Sequence, residues 1–126
     1  MLLAHLRPER QPGVFVFVSL PVGAVLDEPG PLATFREREG LSVVLEEERA
    51  VAAGLTPLCR AAWITLTVHS DLHAVGLMAS VARVLTEAGV SCNVVAAAHH
   101  DHLFVPVEQA ERAMAALHAL SASARS

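Results

Sequence analysis

Residues 99–102, His99-His100-Asp101-His102, set three imidazoles and a carboxylate side by side. Such a set could bind zinc if its side chains converged on one point. On a hairpin, neighbouring residues point to opposite faces, so at most two of the four would converge. A polar cluster that fixes a turn or lines a pocket is the better reading, and neither a metal nor another cofactor is expected. A second polar group, His69-Ser70-Asp71 with His73 beyond it, interrupts a β-prone run and precedes an apolar helical period. Ser70 and Asp71 read first as an N-cap and first-turn acid, with capping alone or capping plus ligand contact both open. A capping serine spends its lone pairs locally and makes a poor nucleophile. No Ser–His–acid, Cys–His or phosphate-loop arrangement stands out, so the chain reads as a non-enzyme. A metal-dependent enzyme built on the histidines ranks last.

These groups need elements to hold them. Residues 63–68, W-I-T-L-T-V, alternate as a strand does, with Ile64, Leu66 and Val68 on one face and Trp63, Thr65 and Thr67 on the other. From Leu72 to Ala88, apolar residues at Leu72, Val75, Ala79, Ala82 and Leu85 recur at helical spacing, with Ser70 as the expected N-cap and Gly89 as the stop. Gly76 inside that helix marks close packing against a strand or a ligand. Strands follow at 90–98 and 103–107, joined by a turn at His99-His100-Asp101, and a helix spans 108–120 with Ala110, Ala113, Met114 and Leu117 inward. The first half is a compressed version. It has a helical turn before Pro8, an apolar strand at 14–18, a short helix or irregular edge at 32–38, a strand at 41–45 and a helix at 46–53 closed by Gly54. Glu39-Gly40 is turn chemistry, or else a contact at a pocket between the halves.

The order β-α-β-β-α specifies an α+β, ferredoxin-like layer of helices on an antiparallel sheet, preceded by a shorter, divergent half. The expected division is 1–60, 61–120 and a flexible tail at 121–126. The last strand of each half is missing or short, so the halves would share one sheet or swap edge strands.

Composition narrows the partners. The net charge is −4 and all nine basic residues are scattered arginines, against the clustered positive charge that nucleic acid demands. No apolar run reaches membrane-spanning length, and the N-terminus lacks the order of a signal peptide. Cys59 and Cys92 have no metal or redox spacing and read as small buried thiols in a cytoplasmic protein. The 53% apolar content suits packed layers and an oligomeric interface. It also leaves open an interaction module without a ligand.

Three stretches carry a resemblance: R-E-R-E-G-L-S-V-V-L at 36–45, L-T-V-H-S-D-L-H-A-V-G at 66–76 and A-H-H-D-H-L-F-V-P at 98–106. Together with G-V-S-C-N-V at 89–94, they resemble the ACT domain. More narrowly, they look like small stand-alone bacterial proteins that pair a divergent ACT-like segment with a second one, similar to the ACT modules of CASTOR arginine sensors. The resemblance implies a regulatory protein that binds a small molecule, commonly an amino acid, at a seam between modules, and that works as a homodimer or higher oligomer. ACT regulators usually sit fused to an enzyme, and these residues carry no catalytic domain. Transferred by position, the ligand-binding residues are His69, Ser70, Asp71, Leu72, His73, Val75, Gly76 and Leu77, with Asn93 and Val94 opposite. Glu39, His99, His100, Asp101 and His102 are pocket or turn residues. A helix N-terminus offers amides to a carboxylate, Asp71 would meet an ammonium, and Gly76 permits close approach.

Overall fold

A computed structural model describes residues 2–26, 30–68 and 76–125. The chain divides into two units, residues 13–61 and residues 1–12 with 62–126.

In the unit 13–61, the apolar run forms β2 (Phe15–Leu20), which pairs antiparallel with β4 (Leu41–Glu46). The segment at 32–38 resolves as an edge strand, β3 (Ala33–Arg36), on the far side of β4. The helix α1 (Glu47–Ala52) follows, and residues 59–61 return beside β2. Val16, Val18, Leu20, Val43, Leu45 and Ala50 close the core on the α1 side. Alternation sends Phe15, Phe17 and Ser19 to the other face. Among the described residues, the loop after β2 contains no helix, so this unit keeps only one. The Arg60 guanidinium pairs with Glu47 across the end of the sheet and holds that carboxyl below the usual carboxylate range.

The second unit uses β5 (Cys59–Leu66), α2 (Leu77–Glu87), β6 (Asn93–Ala96), β7 (Asp101–Pro106) and α3 (Ala110–Arg125). Ala62, Ile64 and Leu66 of β5, Leu103 and Val105 of β7, Val81 and Leu85 of α2, and Ala113 and Leu117 of α3 form its core. The N-terminal residues, assigned to the first half on sequence, belong here. After a 3-10 turn at Leu2–His5, β1 (Pro8–Arg10) pairs antiparallel with β5, setting Pro8 opposite Leu66 and Arg10 opposite Ile64. Leu6 is fully buried in the second unit's core.

Both units have the ferredoxin-like order. In the first it runs β5 (59–61), β2, β4, β3; in the second it runs β1, β5, β7, β6. Each thus places its fourth strand beside its first. In the second unit, the strand in the fourth position comes first in the chain.

Four local expectations need correction. The helix α2 begins at Leu77, set off by Gly76 in a left-handed conformation (φ 90°), and the expected start at Leu72 lies outside the described residues. The cap assigned to Ser70 falls instead to the Gly76 backbone, whose carbonyl accepts the Ser80 amide at 3.1 Å. Asp101 and His102 are not turn residues; they open β7, and the turn is 97–100, closed by the Ala97 amide on the His100 carbonyl at 3.0 Å. Residues 121–125 are the last turn of α3 rather than a frayed tail, with Ser121 buried.

Candidate functional site

Of the expected ligand-binding residues, His69, Ser70, Asp71, Leu72, His73 and Val75 lie outside the described residues. Gly76 stands at the start of α2. Among the described residues, a methyl built there meets nothing within 4 Å, so against these its glycine serves the positive φ rather than close packing. Having no side chain, Gly76 leaves the first amides of α2 uncapped from its own position. The Leu77 side chain is turned into the core, which leaves only its backbone for a ligand. Asn93 and Val94 open β6 and are both exposed.

Asn93 does not face the end of β5 within one chain. Trp63 meets Phe104 and His102, and Thr65 meets His102, so β5 and β7 run in opposite directions. Asn93 is paired with Phe104, and Ala96 with Asp101. Asn93 therefore lies level with the earlier part of β5, whereas the chain leaves for residue 69 at the far end.

The helix-free face of the second unit holds a polar network. On β5 and β7, Ala62, Ile64, Leu103 and Val105 face the helices, so alternation turns Trp63, Thr65, His102 and Phe104 the other way. The indole Nε1 of Trp63 donates to His102 Nδ1 at 3.0 Å, and Thr65 Oγ1 lies 3.1 Å from the same nitrogen. Gln11 Nε2 donates to Thr65 Oγ1 at 3.0 Å, tying in the residue after β1. The Trp63 ring stacks on Phe104 with centroids 6.4 Å apart. Burial first, and then the nearby His100, push the His102 ring below the usual histidine range; Asp101 acts the other way. His102 is thus separated from its sequence neighbours: it joins this network, while Asp101 is buried beyond it on the strand. Among the described residues, no three His, Cys, Asp or Glu side chains gather in a metal-binding arrangement. The sequence alternation put Trp63 and Thr65 on a shared face, but nothing local marked Gln11 as their partner.

A groove of about 160 Å³ opens in the first unit between the turn after β2 and the β3–β4 hairpin, lined by Val22, Ala24, Arg36, Glu37, Gly40 and Leu41. The turn is closed by the Ala24 amide on the Pro21 carbonyl at 3.1 Å, and the hairpin by the Glu37 amide on the Gly40 carbonyl at 2.8 Å. Glu37 also accepts the Ser42 hydroxyl. Glu39 stands in this hairpin, exposed and outside the groove lining.

The two thiols differ. Cys59 is exposed, against the expectation of a buried residue. Burial pushes the half-buried Cys92 thiol up to about 11. At pH 8 roughly one Cys92 in a thousand would then be thiolate. Labelling with a maleimide or a disulfide reagent should therefore modify Cys59 rapidly and Cys92 far more slowly, which peptide mapping by mass spectrometry would read.

Family models described as ACT domain match residues 1–61 and residues 59–119. A Vibrio cholerae crystal structure, of a protein of unknown function described as a possible transport protein, is 46% identical with a TM-score of 0.84, over 94% of this chain and 92% of that one. The chain belongs to the ACT-domain family, with two ACT domains in tandem. The regulatory subunit of aspartate kinase from Thermus flavus has the same fold, with a TM-score of 0.62 at 10% identity, over 90% of this chain and 95% of that one. The ligand-free regulatory subunit from Thermus thermophilus gives 0.61 at 12% identity, over 90% and 95%. A comparison with curated proteins finds no match. Membership of the ACT family implies a regulatory, small-molecule-binding role. Among the described residues, no helix is long and apolar enough to cross a membrane.

Proposed function

We propose that this tandem ACT protein is a non-catalytic cytoplasmic regulator that binds an amino acid at the start of α2 and acts as a homodimer. The observation that carries this reading is the break at Gly76, where α2 opens from a left-handed glycine with no described residue packed against its Cβ position. The amides of that first turn suit a carboxylate. The preceding residues, His69, Ser70, Asp71, Leu72, His73 and Val75, supply polar partners for an ammonium and walls for a side chain. Asn93 and Val94 lie level with the other end of β5, so a ligand that touches both ends would bridge two copies of the chain. That argument favours a seam between protomers over a pocket within one.

The direct test is thermal denaturation in the presence of each of the twenty amino acids. Ligand at a hundred times its Kd would add about 2.7 kcal/mol to stability, a rise in Tm of several degrees. One amino acid, or a small related set, is expected to produce it at millimolar concentration. If folded protein is stabilised by none of them, the proposal fails.

A second reading, an interaction module that binds protein without a small ligand, draws on the exposed Val25, Phe35 and Leu58 of the first unit. It is favoured if Phe35→Ser or Val25→Ser abolishes a stable complex while amino acids leave Tm unchanged.

A further inference from the structure

We infer that His102 is a proton-operated latch on the helix-free face of the second unit, which holds the Trp63 indole only while the imidazole is neutral. An indole N–H can only donate. Its 3.0 Å contact therefore requires His102 Nδ1 to carry a lone pair, and places the ring proton on Nε2. The Thr65 hydroxyl shares that lone pair from 3.1 Å while its own oxygen accepts from Gln11.

Protonation makes Nδ1 a donor. Thr65 can accommodate it, because its oxygen has a second lone pair and the hydroxyl hydrogen can turn away. The Trp63 N–H cannot, for two donors then face each other and the indole loses this acceptor. The proton on His102 thus exchanges one arrangement for another. In the neutral state Trp63 and Thr65 both point at Nδ1; in the charged state Nδ1 points at Thr65 and the indole turns toward solvent. Trp63 and His102 are both half-buried, so a proton can reach the ring.

The surrounding groups favour the neutral state at ordinary pH. His100 and Asp101 flank the ring along the chain with opposing effects. The β6 residue opposite His102 is the uncharged Val95, and the β5 neighbours Trp63 and Thr65 do not titrate near neutrality. On β1, Glu9 pairs with Thr65, one strand further away, flanked by Arg10. Since the folded His102 titrates below its ordinary value, the unfolded chain takes up the proton first as pH falls. Stability is therefore full above about pH 6.5 and declines as pH drops through the folded value. The latch opens over the same window.

Trp63 is the single tryptophan of the chain, so its indole N–H resonance reads the latch without ambiguity. In ¹⁵N-labelled protein of residues 1–126 titrated from pH 8 to pH 5, that resonance is expected to shift with a midpoint below about 6.5, and its protection from solvent exchange to fall relative to that of the backbone amides. In His102→Gln, which keeps an acceptor but cannot titrate, both changes should vanish. An indole resonance that stays fixed in the wild type, or that titrates identically in His102→Gln, overturns the inference. If the wild type unfolds within the window, the acid unfolding midpoint should move to lower pH in His102→Gln; an unmoved midpoint also refutes it.

Discussion

Deletion of residues 1–12 is expected to unfold the second ACT unit while leaving residues 13–61 with their own core. Leu6 is fully buried among Ile64, Leu66, Leu103 and Leu117, and losing a leucine of that kind alone costs about 3 kcal/mol. β1 further supplies the antiparallel partner of residues 64–66. The Gln11 amide donates to the Trp63 carbonyl at 2.8 Å, and the Thr67 hydroxyl donates to the Arg7 carbonyl at 2.8 Å. At about 1 kcal/mol for each such bond, the total is of the same order as the 5–15 kcal/mol that holds a typical domain together. Chemical denaturation followed by Trp63 fluorescence should show a truncated chain whose only tryptophan reports no cooperative transition. A truncated chain with an unchanged midpoint would mean that β1 is dispensable. Deletion of 121–126, which removes the buried Ser121 and the last turn of α3, should cost far less.

The second large effect is expected at Gly40. A methyl placed there would lie 2.2 Å from the Leu20 carbonyl oxygen, a backbone atom at the end of β2, and the residue sits at φ 154°. Either the β3–β4 hairpin or β2 must move, so Gly40→Ala should destabilise the chain by about 3–5 kcal/mol and lower Tm by roughly 10–20 °C. Gly76→Ala is the matched control. It has a positive φ but no described residue within 4 Å of an added methyl, so it should cost only about 1–2 kcal/mol. Thermal denaturation of the two variants separates steric exclusion from backbone preference. Equal losses would show that the approach to Leu20 does not govern this position.

Much of the fold was legible because period and punctuation agree in this chain. The Val14 to Val18 run, the 63–68 alternation and the inward residues of α3 each carry their own structure in side-chain spacing. Where the reading failed, the deciding partner was distant in sequence. Pro8-Glu9-Arg10 has no strand pattern of its own, and becomes β1 because β5, more than fifty residues later, offers an open edge. The helix expected from Leu72 had good spacing, yet Gly76 sets its start by a backbone angle that spacing does not record. The candidate site was legible to a lesser degree. His102 stood out as chemistry, but only the pleat of β7 separates it from Asp101 and hands it to Trp63 and Thr65. Gln11 joins that network through a tertiary contact with no local signature.

The position of β1 also orders events during synthesis. Residues 2–10 are made well before their partners, residues 62–68 and α3. The unit 13–61 has every strand it needs once residue 61 has emerged. β1 must wait for its strand partner until the whole of the unit 13–61 has been made. β1 then completes the second unit, although it precedes the first in the chain.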